Sequence, residues 1–291
     1  MSDELIKGKK IRSISGLIVK ATRETPDTWT LDIEVADQDK NYLAGQFISI
    51  NPHQFPELRD FIKYFEYQKG KKEPIRAYSL TSAPHEKYVS ITIKPESYFP
   101  EPDAFPPLLS PFLASDFLVG RQIEFTGYAG GYVMPENLRA GTDHVIHLVA
   151  GSGVVPSFSI IKDELLARQS CIRHSLVTVN KRIEDIIFHE ELKELCERFP
   201  EHLKVYYYLT QEKTLPGSNY FAGRPDNSHI EKLVTDKERT IVFACGPAIT
   251  KWQKKAVQNP EELKPRFMEW VQEVVDKLDL DKHRFKREIY G

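Results

Sequence analysis

From residue 14 to about residue 131, apolar and polar positions alternate in short runs rich in β-branched and aromatic residues, at 16–21, 28–35, 47–50, 78–81, 88–94 and 122–126. Six such runs without a convincing long helix predict an antiparallel barrel or sandwich. Two stretches break the rhythm and read as loops or insertions: 51–73, whose part 57–67 has the character of a short helix, and 95–109, with five prolines. After about Arg139 the pattern changes to apolar strand followed by amphipathic helix. Strands are predicted at 144–151, 174–180, 202–210 and 239–246, with helices at 156–168, 184–199 and 248–257. This alternation implies a parallel sheet with right-handed crossovers. A last helical pattern, 261–280, carries Phe267, Trp270, Val271, Val274, Val275 and Leu278 at near-helical spacing and is expected to pack on that sheet. The polar segment between Pro135 and Thr142 marks the boundary, giving domains 1–137 and 138–291.

Composition narrows the class. A length of 291 residues suits two domains, and 41% hydrophobic residues supply ordinary cores. Forty basic residues against 42 acidic ones leave a net charge of −2, which provides no general field for a polyanion, so no nucleic-acid partner is expected. Cys171, Cys196 and Cys245 form no CxxC pair and suit a reducing compartment. The N-terminus lacks the apolar core of a signal peptide, and the most apolar stretch, 145–161, is interrupted by His147, Gly151, Ser152, Gly153 and Pro156. The expectation is a cytoplasmic protein without a membrane span.

The chemistry is written at strand ends. Gly151-Ser152-Gly153-Val154-Val155-Pro156 leaves an apolar strand and enters a helix read as starting at Pro156. Glycines there let backbone amides approach a pyrophosphate at the positive end of the helix, which makes this a dinucleotide-site candidate. After the second strand come Asn180, Lys181 and Arg182, with Arg173 just before it, where a ribose-binding acid is usual. Cations at that place suit a 2′-phosphate and favour NADPH over NADH. Arg76-Ala77-Tyr78-Ser79 opens a strand of the first half: arginine can grip a pyrophosphate, tyrosine can pack on an isoalloxazine and serine can hydrogen-bond flavin N5. Cys245-Gly246-Pro247 ends the last apolar strand, at the sheet edge where parallel sheets present ligand groups. No HExxH or GxSxG motif supports a metalloprotease or serine hydrolase. Alternation sends His144 and His147 to opposite faces or exposes one of them, so no metal site is expected.

Taken in order, these segments resemble the ferredoxin–NADP reductase-like flavoproteins. RAYSLTSAP (76–84) is similar to their RxYS flavin motif, GYAGGY (127–132) to GPxGxF, and HLVAGSGVVP (147–156) to the nicotinamide phosphate loop. NKRIEDIIFHEEL (180–192) is similar to the segment after the second strand, and VFACGP (242–247) to the closing CGP. The resemblance implies an antiparallel flavin-binding barrel followed by a Rossmann-like nicotinamide-binding domain, with FAD and NADP as cofactors and NAD as a possible substitute. Arg76 would then contact the FAD pyrophosphate, Tyr78 the flavin, and Ser79 its N5. Ser110 falls where a second pyrophosphate serine is found, although position 107 is Pro rather than Gly. Gly151, Ser152, Gly153, Pro156, Lys181, Arg182, Gly246 and Pro247 would bind the nicotinamide dinucleotide, and Cys245 would line its ring. Glu288-Ile289-Tyr290 resembles an ExY ending in which the tyrosine covers the flavin and the glutamate assists proton transfer; here Gly291 follows.

The implied activity is hydride transfer between NAD(P)H and FAD, with single electrons passed to a ferredoxin, flavodoxin or oxygenase component. Lys63, Lys69, Lys71 and Lys72, and separately Lys282, Arg284, Lys286 and Arg287, are candidate docking surfaces for an acidic partner. Other readings are a free-flavin or quinone reductase, a flavin-bearing electron-transfer subunit, and a non-catalytic nucleotide-sensing module.

Overall fold

The computed structural model describes residues 12–96, 105–250, 253 and 263–290. The chain divides into two compact units between Gly131 and Tyr132. The segment 136–139 forms a short helix of the second unit rather than an open linker.

The first unit is an antiparallel sheet of β1 (Arg12–Thr25), β2 (Thr28–Glu34), β3 (Phe47–Ile50), β4 (Arg76–Ser79), β5 (Val89–Ile93) and β6 (Gln122–Ala129), in the order β4-β3-β6-β1-β2-β5. An antiparallel bridge between Leu80 and Ile91 joins the two end strands and closes the sheet into a barrel. Alternation along the strands sends Ile14, Ile18, Leu31, Ile33, Ile48, Ile50, Ile91 and Phe125 inward, all essentially without solvent exposure. Each such side chain contributes about 1.5–3 kcal/mol on burial. The hydroxyls of Thr30, Thr92 and Thr81 satisfy one another in a buried chain, at 2.7 and 2.6 Å.

The 51–73 stretch is ordered. It contains α1 (Arg59–Lys69), which places Ile62 and Phe65 on its buried side and ends where Gly70 adopts the left-handed conformation. Two further short helices are α2 (Leu109–Leu113) in the first unit and α3 (Glu136–Arg139) in the second. The proline-rich stretch falls largely outside the described residues, as does most of the helix predicted at 248–257.

The second unit is a parallel sheet of β7 (His144–Ala150), β8 (Arg173–Asn180), β9 (Leu203–Leu209), β10 (Tyr220–Ala222), β11 (Thr240–Pro247) and β12 (Phe285–Tyr290), in the order β10-β9-β8-β7-β11-β12. On one face α4 (Val154–Lys162) and α5 (His189–Arg198) pack with Val149, Leu176 and Val205. On the other, α6 (Asn227–Leu233) and α7 (Phe267–Leu278) pack with Ile146, Leu148, Val177 and Val242. The chain steps outward from β7 to β10 on one side and resumes beside β7 with β11 on the other. The β7–β11 junction is therefore a topological switch point, where open α/β sheets leave a crevice at the strands' carboxyl ends. Pro156 is the third residue of α4, not its first, and still lies in the first turn, where the missing N–H removes no helical hydrogen bond. The helix ends in a π turn over Asp163–Ala167.

Candidate functional site

In the second unit the glycine turn sits at the switch point. Ala150 is extended, Gly151 turns the chain with φ of +53°, and a tight turn through Gly153 leads into α4. A Cβ at Gly153 would lie 2.1 Å from the carbonyl oxygen of Cys245, so only glycine lets the turn close over the end of β11. A Cβ at Gly246 would strike the Phe267 ring at 2.5 Å and approach Ala150 at 3.2 Å. At Gly151, by contrast, the space that a side chain would fill is open. The turn is thus packed tightly on its β11 side and free on the other, which fits a phosphate against the backbone amides at the start of α4.

Three predicted residues converge beside this turn. Parallel pairing of β11 with β12 sets Cys245 opposite Glu288 and Pro247 opposite Tyr290. The Tyr290 side chain hydrogen-bonds the Cys245 thiol, which is fully buried. Burial, and after it the Glu288 carboxylate, pushes that thiol well above its ordinary range, so it stays protonated at neutral pH.

Two residues not singled out as site candidates complete the cluster. The hydroxyl of Tyr132, a buried residue, lies 2.8 Å from that of Ser157 on α4, and its ring meets Phe243 edge-on at 4.9 Å. Burial is the chief cause that keeps the Tyr132 phenol protonated, with the Glu288 carboxylate adding to it. The signal in the sequence is a serine inside an otherwise apolar helix, a polar group that burial obliges to find a partner.

Of the candidate 2′-phosphate groups, Lys181 and Arg182 lie exposed just beyond β8, with Arg182 3.3 Å from Glu184. Asn180 is buried and bonds Thr178. Arg173 starts β8 at the opposite edge of the sheet, paired with His144, a strand's length of roughly 23 Å from Asn180. It does not share a site with Lys181 and Arg182.

In the first unit, β4 carries Arg76, Tyr78 and Ser79, paired with Ile50, Ile48 and Phe47 of β3. Ser79 is buried, and Tyr78 is half-buried against the barrel core, where desolvation pushes its phenol up. The Arg76 side chain is 48% exposed, and among the described residues the carboxylate that pairs with it, Glu73, stands 3.7 Å away, beyond hydrogen-bonding distance. Its donors therefore remain available to an anionic ligand, and the residues present fit a pyrophosphate-bearing flavin cofactor. Ser110 is the second residue of α2 and is partly buried. His144 and His147 do face opposite sides of the sheet, but neither is exposed: His144 meets Ser175 at 2.9 Å, and His147 meets His174 at 3.1 Å.

The docking candidates change in membership. Lys69 is drawn in, 2.7 Å from buried Glu73 and 4.8 Å from the Phe65 and Phe105 ring centres. Arg284 and Arg287 are engaged by Thr142 and Gln272. Lys63, Lys71 and Lys72 remain exposed.

Residues 148–254 match the oxidoreductase NAD-binding domain family. The second unit thus carries the match to an NAD-binding oxidoreductase domain, and the chain has the two-domain fold of ferredoxin–NADP reductase-like proteins. It is 25% identical over 285 residues to the ferredoxin reductase component of 3-ketosteroid-9-alpha-monooxygenase from Rhodococcus rhodochrous, covering 96% of this chain and 66% of that protein. It is 32% identical over 128 residues to NADH-cytochrome b5 reductase 2-B from Vanderwaltozyma polyspora, covering 43% of this chain and 41% of that protein. The chain thus spans 41% to 66% of the length of these relatives.

Among solved structures, the FAD/NAD-binding domain of nitric oxide dioxygenase from Vibrio cholerae superposes with a TM-score of 0.68 at 21% identity, covering 96% of this chain and 98% of that one. Ferredoxin-NADP+ reductase from Plasmodium falciparum gives 0.66 at 16% identity, covering 96% of each chain. No helix among the described residues is long and apolar enough to cross a membrane.

Proposed function

We propose that this protein is an FAD-dependent NAD(P)H oxidoreductase that passes electrons to a separate carrier, a ferredoxin, flavodoxin or oxygenase component. The observation that carries the reading is the glycine turn at the switch point, closed on Cys245 and open beside Gly151. When bound, NAD(P)H supplies a hydride and FAD accepts it and releases single electrons.

The chain's own residues bind and orient. Gly151, Ser152, Gly153 and the first turn of α4, which includes Pro156, hold the dinucleotide phosphates, with Gly246 and Pro247 shaping the adjoining wall. Arg76 and Ser110 hold the FAD pyrophosphate, Tyr78 packs on the flavin, and Ser79 hydrogen-bonds N5. Cys245 stays a neutral thiol and shapes the nicotinamide pocket, while Tyr290, bonded to that thiol, shields it until the nucleotide arrives. Glu288, which pairs with Cys245 across the two strands, assists proton transfer. Lys181 and Arg182 read a 2′-phosphate and favour NADPH.

The carrier docks on the outward face of α1. Phe61, Tyr64 and Tyr67 are 60%, 58% and 84% exposed there, with Arg59, Lys63, Lys71 and Lys72 beside them. Exposed aromatics with several cations near them in sequence suit an acidic protein with an apolar centre.

Anaerobic mixing of the FAD-loaded protein with NADPH and NADH tests the reading. Flavin bleaching by both, faster with NADPH, is expected; no bleaching by either rejects it. A second reading, a haem-protein acceptor with NADH as donor, draws on the cytochrome b5 reductase relatives. Faster bleaching with NADH, and faster turnover with cytochrome b5 than with ferredoxin, would favour it.

A further inference from the structure

The connection between α1 and β4 is held by a chain of charged contacts. Glu73 is a buried carboxylate. Its Oε2 accepts from Lys69 Nζ at 2.7 Å, and its Oε1 lies 3.7 Å from the Arg76 guanidinium. Its backbone N–H donates to Glu66 Oε1 at 2.9 Å, and that same oxygen lies 2.8 Å from His53 Nε2. The left-handed turn at Gly70 reverses the chain so that Lys69 and Glu73 meet.

Burying a carboxylate is costly unless it is paired, and Lys69 supplies the pairing. Lys69 is itself fixed by the Phe65 and Phe105 rings, so the carboxylate cannot swing toward Arg76. Arg76 is left near an anion that is already neutralised. It is attracted enough to be oriented and too distant to be bonded, so it keeps both its charge and its donors. A free arginine would lose most of its rotamer freedom on gripping a pyrophosphate, whereas a pre-oriented one loses less.

We propose that Glu73, held by Lys69, is a positioning residue that aims Arg76 at the pyrophosphate of the flavin cofactor. This rests on the assignment of Arg76 to that pyrophosphate.

The test is FAD titration of the flavin-free protein, followed by quenching of flavin fluorescence, for the parent, Glu73→Gln, Lys69→Gln, Arg76→Ala and the Glu73→Gln/Arg76→Ala pair. Sign discriminates here. A bystander anion beside a phosphate site would tighten FAD binding when neutralised, whereas a positioning residue weakens it. Glu73→Gln is expected to weaken FAD about threefold to tenfold, the range for ordering one long side chain on binding. The loss should vanish in the Arg76→Ala background, because Glu73 acts only through that arginine. Lys69→Gln should also weaken FAD, since the released carboxylate closes on Arg76 and competes with phosphate; this variant keeps the idea testable if Glu73→Gln folds poorly.

Unchanged or tighter binding in Glu73→Gln, or an equal loss with and without Arg76, overturns the proposal. If Arg76→Ala itself leaves FAD affinity intact, the assignment of Arg76 fails instead, a result distinguishable from the first. Equal thermal midpoints and equal NADPH affinities across the series separate aiming from general damage.

Discussion

The two units offer a phosphate group different materials. The parallel unit uses backbone: a glycine turn packed against the carbonyl of Cys245, with its amides at a helix start and open space beside Gly151. The antiparallel unit uses a side chain, Arg76, set beside a neutralised carboxylate. A backbone site is inseparable from the fold that makes it, because the same atoms close the turn and face the ligand. A side-chain site can be removed while the barrel stays intact. The difference predicts that equally small substitutions damage the two units in different ways.

Gly153→Ala should show the largest effect. Its new Cβ meets the Cys245 carbonyl at 2.1 Å, against backbone that has no rotamer with which to yield. Overpacking of this kind costs about 3 kcal/mol or more, and the displaced turn should lose NADPH affinity by at least roughly 100-fold. Thermal unfolding and nucleotide titration check both together. Retained affinity with reduced stability would separate the turn from the ligand and break the comparison.

Acid should also act on one unit before the other. Seven of the nine histidines belong to the second unit, and burial is the chief cause holding His144 down to about 4, His174 down to about 3, and His147 well below the ordinary value. A histidine depressed in the folded state binds its proton more readily when unfolded. Its contribution is therefore complete above the unfolded pKa of about 6.5 and is lost as pH falls toward the folded value. Each such group adds a slope of about 1.4 kcal/mol per pH unit within that window. Denaturant midpoints of the second unit should fall steeply from pH 6.5 to 4, while the barrel, whose only histidines are His53 and His85, holds. His174→Phe should reduce the slope; an unaltered slope would remove these groups from the account.

Arg76→Ala supplies the contrast. A charge-assisted hydrogen bond contributes about 1.5–3 kcal/mol, so FAD should bind roughly 10- to 100-fold more weakly. The barrel's melting midpoint should be unchanged, since the guanidinium is half exposed and contributes nothing to the core. A drop in melting midpoint as large as that of Gly153→Ala would erase the distinction between the two kinds of site.

What the sequence disclosed follows the same division. The six barrel strands were legible because short runs rich in β-branched and aromatic residues stand between turn residues, and the glycine turn was legible because steric demand leaves a residue type as its trace. β12 was not read as a strand. Its run FKREIY sits at the edge of the sheet, with its one neighbour on the β11 side, so charges are tolerated and the apolar signature of a buried parallel strand is missing. β10 is three residues long and gives no period to detect. The pairing of Lys69 with Glu73 has visible i,i+4 spacing, but α1 ends at Lys69, so helical periodicity could not show that Arg76 stands beside the pair. Tyr132 and Ser157 are 25 residues apart, and no local pattern links them.

Tyr132→Phe is the smallest of the expected effects and the finest test of the backbone site. The substitution keeps the ring that meets Phe243 and deletes only the hydroxyl that bonds Ser157, leaving the serine buried without that partner. Losing one neutral hydrogen bond of this kind costs about 1 kcal/mol. Because Ser157 lies in the helix that the glycine turn opens, the loss should appear as a slightly lower thermal midpoint with NADPH affinity preserved. Cys245 gives an internal control. Its buried, protonated thiol should resist alkylation at neutral pH in parent and variant alike, while exposed Cys171 reacts in both. If Tyr132→Phe opens Cys245 to alkylation, the tyrosine holds the end of β11 shut rather than merely satisfying a helix serine, and the close contact between turn and strand depends on one hydroxyl as well as on glycine.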